Sequence, residues 1–465
     1  MRTLPATRRP GARRVVLPVA SFALAACASG SSSDTVAAGG PAAANGSSSR
    51  AASLPARSAA RVACAPDNGG FTLPAGFCAS IFADSLGANA RQMVVAPNGD
   101  VFVASAGSGG RGGAPAQPGG VVALRDADRD GKAEVTTRFG QAGGNGIALR
   151  GDWLYVAMDS AVIRYRLPAG AMQPTGAPET IITGLPFQPG HRNKTVAFGR
   201  DGALYLNVGS PSNACQVADR QKGSPGKDPC PELDTRAGIW RFDADKPGQT
   251  QAGAERFATG LRNSVAIAVG PDGQLYAVPH GRDNFFQNWP EHYDEEESAE
   301  QPSEELVRVE RGGDYGWPYC YHDNAKNAKV LAPEYGGDGT KVDRCAGKKM
   351  PLVAFPGHWA PNGMAFYTGT AFPAKYRGGV FVAFHGSWNR APRPQAGFNV
   401  AFVPFANGQP SGRYEVFADK FAGETPPADR NLARFRPTAV ATGADGSLYI
   451  SETQKGRVWK VVWKG

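Results

Sequence analysis

One pattern recurs six times along the 465 residues: small apolar residues, a glycine-containing turn, then a short alternating strand with an aromatic side chain. The copies read MVVAPNGDVFVAS from Met93, GIALRGDWLYVAM from Gly146, TVAFGRDGALYLNVGS from Thr195, SVAIAVGPDGQLYAVPH from Ser264 and TAVATGADGSLYISE from Thr438. A looser copy, NGMAFYTGTAFPAKYRGGVFVAFHGS, starts at Asn362. Alternation on both sides of a turn reads as a β-hairpin, and six spaced hairpins mean six like units. Between them lie second strand pairs, such as GGVVALRDADRDGKAEVTTRF from Gly119 and FNVAFVPF followed by YEVFADKF from Phe398. Four strands per unit make a propeller blade. After the sixth hairpin only GRVWKVVW from Gly456 remains, so the last blade lacks a strand, and Phe77 to Phe82 offers one from the other end. The expected fold is therefore all-β, a six-bladed β-propeller over residues 70–465. An N-terminal strand in the last blade closes the ring and removes the open sheet edges. A β-sandwich accommodates six like units poorly.

Composition agrees. The 60 Gly and 37 Pro are about a fifth of the chain, while 42% of residues are hydrophobic. That excludes coiled coils and helical bundles but leaves material for a core. No run is long and apolar enough to span a membrane as mature protein. The net charge of +9 misleads, because Arg2, Arg8, Arg9, Arg13 and Arg14 all precede a short apolar run from Val15 to Ala26. A basic segment before such a run is the pattern of a secretory signal peptide over residues 1–26, and losing those five charges leaves +4. Nucleic acid is thus not an expected partner. Leu24-Ala25-Ala26-Cys27 resembles a bacterial lipobox, which implies a lipid anchor at Cys27 and an exported protein, periplasmic or held at the outer membrane. Residues 27–69, dominated by Ala, Ser, Gly and Pro, read as a flexible tether. Six further cysteines allow 15 pairings. Neighbouring ones lie 14, 15 and 25 residues apart, so Cys64–Cys78, Cys215–Cys230 and Cys320–Cys345 are expected, in an oxidising compartment.

Turn glycines lie 52 residues apart from Gly99 to Gly151 and 51 from Gly151 to Gly202, but 71 from Gly202 to Gly273. The excess falls in 211–236, 284–303 and 321–355, and long loops on a rigid scaffold commonly build binding sites. His191, in PGHRNKTVAF, precedes the third hairpin, where a loop side chain can enter the central channel and take a proton from a substrate hydroxyl. Arg262-Asn263 holds the equivalent loop before the fourth hairpin, and Arg434-Phe435-Arg436 that before the sixth. Equivalent loops converge at one end of a propeller. A histidine among arginines there suits a ligand with several carboxylates or phosphates.

The string GLRNSVAIAVGPDGQLYAVPHG, GGDYGWP at residues 312–318, ARFRP at 433–437 and the His191 loop together resemble the soluble glucose/sorbosone dehydrogenase family, which uses pyrroloquinoline quinone. FPGHWAPNGMAFYTG and FVAFHGSWNR resemble its L-sorbosone dehydrogenase-like, aldose-sugar-dehydrogenase-like branch in particular. The resemblance covers nearly the whole propeller and implies the same six-bladed fold. It implies that His191 is the general base, taking the hydroxyl proton while hydride passes to the quinone, with Arg262 beside it. Arg434 and Arg436 then match a carboxylate-binding Arg-x-Arg, and Arg262 with Asn263 a pair at the quinone oxygen. Gln92 matches a glutamine lining the cofactor. His385 or Arg390 stands where glucose-active members carry a lysine. A Ca²⁺ ion is implied on the backbone carbonyls of Gly281 and Arg282, although the family's turn proline is here Arg282. The glucose-type loop residues are mostly absent, so glucose is not assigned as substrate.

The expected function is oxidation of an aldose or sorbosone-like hydroxy-aldehyde. In the absence of a CxxCH haem motif, electrons are expected to leave to an external acceptor, a cytochrome or a quinone. A lactonase-type hydrolase needs metal-binding carboxylates at the channel mouth, and the motifs indicate no such ring. A non-enzymatic binding propeller stays open as an alternative. Separately, Asp126, Asp128 and Asp130 followed by Gly131 suit a Ca²⁺ loop, but the twelfth position of an EF-hand is here Thr137, and a polar hairpin turn explains the same residues.

Overall fold

Each copy of the pattern folds into the inner hairpin of one blade. The structure, a computed structural model, describes residues 61–107, 119–141 and 143–465. The hairpins pair Ala90–Val95 with Val101–Ser105, Gly144–Arg150 with Trp153–Met158, and Val196–Phe198 with Ala203–Val208. The others pair Ala266–Val269 with Leu275–Val278, Pro361–Phe366 with Val380–Phe384, and Pro437–Thr442 with Leu448–Glu452. The turns follow from local chemistry: in the fourth hairpin Gly273 takes φ +81° while the Asp272 carboxylate accepts the N–H of Gln274.

Two outer strands complete each blade, with a short fifth strand, Gln249–Thr250 in the second and Gly313–Asp314 in the third, added at the edge; in the last blade the outer pair is Val458–Trp463 and Phe77–Ala83. The N-terminal strand runs antiparallel to the C-terminal one, with Phe77 opposite Trp463 and Ile81 opposite Trp459. Closure is thus by the expected strand. Apolar side chains gather into six main clusters, one at each blade-to-blade interface. One of them joins Met93 and Val101 of the first blade to Ala439 and Tyr449 of the last. The repeat aromatic is the wedge: Tyr155 packs on Phe198 of the next blade at 4.8 Å, and Tyr276 on Phe366 at 5.0 Å.

The chain is anchored before residue 70. Val62 is buried, the Ala63 N–H donates to the Asp130 carbonyl at 3.2 Å, and Cys64 is bonded to Cys78. Composition marked 61–69 as the end of the tether, yet these contacts hold it against the propeller. The expected signal peptide, Cys27 and the expected tether up to residue 60 lie outside the described residues. Cys215–Cys230 and Cys320–Cys345 pair as expected, the first inside one long insertion and the second tying another to the residue just before it.

Four inner hairpins share an irregularity. Register shifts fall between Ala90 and Met93, Gly144 and Gly146, Pro361 and Gly363, and Pro437 and Ala439. A bulge re-aims the side chain beside it. Here the bulges sit at the same end of the channel and bring Arg91, Gln92, Asn145 and Asn362 to it.

Candidate functional site

At that end lies a cavity of about 370 Å³, lined by loops entering or leaving the inner strands. His191 lines it from the loop before Val196–Phe198, with φ +45°. Its Nδ1 lies 2.8 Å from the carbonyl oxygen of Ser210, so Nδ1 carries the proton and Nε2 keeps its lone pair. Burial, reinforced by the nearby Arg262 guanidinium, holds the imidazole pKa down to about 3. His191 is therefore neutral at any ordinary pH. Gly209 makes the placement possible: a Cβ there meets Cβ and the carbonyl oxygen of His191 at 2.7 Å, and Oδ1 of Asn263 at 3.0 Å.

Arg262, 4% exposed, is fixed on four sides. It donates to both oxygens of Asn213, to the Gly281 carbonyl at 2.7 Å and to the Asp283 carboxylate at 3.0 Å. Asp283 also accepts from Arg220 at 2.8 Å and from Asn389 at 2.9 Å. Burial alone raises this carboxyl, but Arg262, Arg220 and His358 hold it well below the ordinary range. Glu304, the second carboxylate of the lining, receives only the N–H groups of Gly281 and Ala360, and burial pushes it up to about 8. His280, His358 and His385 complete the histidine set, all buried in the neutral form.

The structure brings His191, Arg262, Asn263, Gly281, His385 and Arg436 together on this cavity. Arg436 is held by the carbonyls of His385 and Gly386 at 3.0 and 2.9 Å. It leaves four expected residues outside. Gln92 donates across the channel to the Val265 and Asn362 carbonyls, tying the first blade to the fourth and fifth. Arg434 points away: its side chain is half exposed, 4.0 Å from Asp67 and over the Phe435 ring, so only one arm of the Arg-x-Arg reaches the site. Arg390 is buried against Glu300 and the Ala299 carbonyl, bracing the loop that presents Trp388 and Asn389. The Arg282 side chain is ion-paired with Glu334 and stacked on Phe285.

Sequence reasoning missed Arg91, Arg192, Arg220 and Arg430, the other guanidinium groups of the lining, and the carboxylates Asp283 and Glu304. Asp283 was within reach, two residues beyond the turn glycine at 281. Arg220 comes from an insertion whose length marked it, but nothing in the local sequence singles that residue out. Trp388, 47% exposed, stands at the mouth between Arg220 and Arg430.

The lining fits an anionic, multiply hydrogen-bonding ligand. Six arginines face two carboxylates, and Arg91 Nε, Asn263 Oδ1 and Asn389 Oδ1 are buried without a partner among the described residues. Three carboxylates on a planar quinone match that surplus of cations. The implied calcium would share the Gly281 carbonyl with the Arg262 guanidinium, which leaves that oxygen one lone pair, while Arg282 does not line the cavity.

The pyrroloquinoline quinone-dependent pyranose dehydrogenase of Coprinopsis cinerea is 28% identical over 316 residues, covering 60% of this chain and 40% of that protein. The chain spans at most about half the length of the curated relatives it matches. The holo form of the pyranose dehydrogenase quinone domain from the same fungus superposes with a TM-score of 0.66 at 20% identity, over 84% of this chain and 97% of that one. A Trichoderma reesei carbohydrate-active enzyme of family AA12 gives 0.68 at 18% identity, over 85% and 98%. Both show a shared fold. The family model described as TrAA12-like matches residues 71–464, and the chain belongs to that family.

Proposed function

We propose that this protein is a sugar dehydrogenase that uses pyrroloquinoline quinone. Its substrate in this proposal is an aldose or sorbosone-like hydroxy-aldehyde, and its electrons pass to an external acceptor, a cytochrome or a membrane quinone. The observation that carries the reading is His191, neutral and with Nε2 free, on a cavity whose lining is dominated by guanidinium groups. The quinone dependence of the Coprinopsis relative supports it. Bound quinone would supply the two-electron acceptor for hydride from the substrate carbon.

The chain's own residues do the rest. Arg436, with Arg91 and Arg430, would hold carboxylates of the cofactor. Arg262, rigid and charged, would face an oxygen on which negative charge develops, with Asn263 beside it. His191 Nε2 would accept the substrate hydroxyl proton. Burial is the larger cause of the lowered His191 basicity, and an anionic ligand would offset the smaller part due to the Arg262 charge. Calcium belongs to the proposal for the loaded protein, with Gly281 and Arg282 as its backbone contacts, and no step above depends on it. Export and a lipid anchor at Cys27 complete the picture and are tested by palmitate labelling of the wild type against Cys27→Ala.

Dye reduction by the quinone-loaded protein across aldoses, osones and sugar alcohols tests the function. The wild type should turn over at least one class, and His191→Ala should lose about a thousandfold in rate while binding the quinone as before. A folded wild type that binds no quinone would overturn the proposal.

A further inference from the structure

The Asp126 loop lies outside the cavity, in the outer hairpin of the first blade between Gly120–Arg125 and Val135–Phe139. One carboxylate oxygen from each of Asp126, Asp128, Asp130 and Glu134 lies within 4.8 Å of the others. One carboxylate oxygen of each also accepts a backbone N–H of the loop. Asp126 accepts the Gly131 N–H, Asp128 that of Asp130, Asp130 that of Lys132, and Glu134 that of Ala127, at 2.8 to 3.0 Å. Clustered acids on a surface turn are common without a ligand. Here a second fact points to one: the Asp126 side chain is only 7% exposed and turned into the cluster, yet its Oδ1 is buried with no hydrogen-bond partner. A buried carboxylate oxygen left unpaired is costly, and a cation is what such an oxygen lacks. The Lys460 ammonium sits 3.5 Å from the opposite oxygen, Oδ2, and is shared with Asp445 at 3.1 Å.

We propose that Asp126, Asp128, Asp130 and Glu134 bind a structural calcium ion that fastens the closure of the ring. A hard, all-oxygen, four-carboxylate set suits Ca²⁺, which takes 6–8 oxygens in flexible geometry and completes its shell with water. Glu134 does the work that an EF-hand gives to its twelfth residue. The loop is stitched to the closing seam from three directions. Ser80 Oγ of the N-terminal strand donates to the Gly131 carbonyl at 2.7 Å, the Ala133 N–H donates to the Phe82 carbonyl at 2.8 Å, and Lys460 arrives from the C-terminal strand. Fixing the loop therefore fixes the joint made by strands from opposite ends of the propeller.

The test uses the whole protein, stripped with chelator and free of quinone, with CaCl₂ as probe. Bound calcium is counted by elemental analysis after gel filtration, and the melting temperature is followed with and without the ion. Asp128→Asn/Asp130→Asn changes solvent-facing side chains and leaves the cavity untouched. The wild type should melt higher in calcium, and the double variant should hold one equivalent less and lose that rise, with affinity down about tenfold or more. Quinone binding by the variant should match the wild type, which separates this site from any calcium in the cavity. A variant with undiminished calcium content and stabilisation, or a wild type indifferent to calcium, would overturn the assignment.

Discussion

Gly209→Ala isolates the positioning of His191 from its chemistry. The backbone of Gly209 is not in the left-handed region, so the substitution adds only a methyl group, and that group meets His191 Cβ and its carbonyl oxygen at 2.7 Å. Restoring ordinary carbon contact needs a retreat of about 0.8 Å or more. His191 cannot move freely, because Nδ1 is tied to Ser210, and the new methyl group cannot turn away freely, because it also meets Asn263 Oδ1 at 3.0 Å. A displacement of about 1 Å in a reacting group costs on the order of a hundredfold, or about 2.7 kcal/mol of barrier. Overpacking should cost about 1–3 kcal/mol of stability as well. Steady-state dye reduction, quinone affinity and chemical denaturation should be measured together, with Gly253→Ala, whose Cβ meets nothing within 4 Å, as the control. A folded, quinone-loaded Gly209→Ala protein with wild-type turnover would refute the role of His191 geometry.

Three more outcomes follow from the same contacts. Arg436→Ala should weaken quinone binding by about 10–100-fold, the loss of one buried charge-assisted contact, whereas Arg434→Ala should change it little; equal losses by equilibrium titration would show that Arg434 reaches the site. Phe77→Ala should destabilise the protein by about 3–5 kcal/mol in urea, because Phe77 packs edge-on against Phe372, Tyr376, Phe417 and Trp463 and joins the closing blade to its neighbour. Stability should fall as the pH drops from about 6.5 toward 4.5: His191, His280, His358 and His385 are buried neutral with lowered pKa values, so the unfolded chain binds more protons in that window. Glu304, raised to about 8, opposes this with a single group, so denaturation midpoints that rise on acidification would contradict the burial of the histidines.

Much of the fold was legible because a propeller repeats its signals. Six hairpins, each with its turn and its wedge aromatic, gave the blade count, and the missing last strand gave the closure. The site was legible where equivalent loops carried marked residues: His191, Arg262, Asn263 and Arg436 converge as their loop positions require. Elsewhere, spacing alone could not say which way a side chain turns. Arg434 and Arg436 are two apart, so strand-like alternation would put both on one face, yet the loop turns Arg434 toward Asp67 and only Arg436 lines the cavity. Arg390 and Arg282 found carboxylates in the insertions, half-exposed Glu300 and buried Glu334, partners that only the tertiary structure supplies. Residues 61–69 looked like tether by composition, but one disulfide and one buried valine suffice to dock them.

The most direct test of the central claim is an anaerobic single turnover. Protein loaded with one equivalent of pyrroloquinoline quinone is mixed with an aldose or osone in the absence of any acceptor, and the cofactor spectrum is followed. Reduction of one equivalent per chain, lost in His191→Ala, is the predicted result. Stoichiometric binding with no reduction by any carbohydrate, or reduction that persists unchanged without His191, would contradict it.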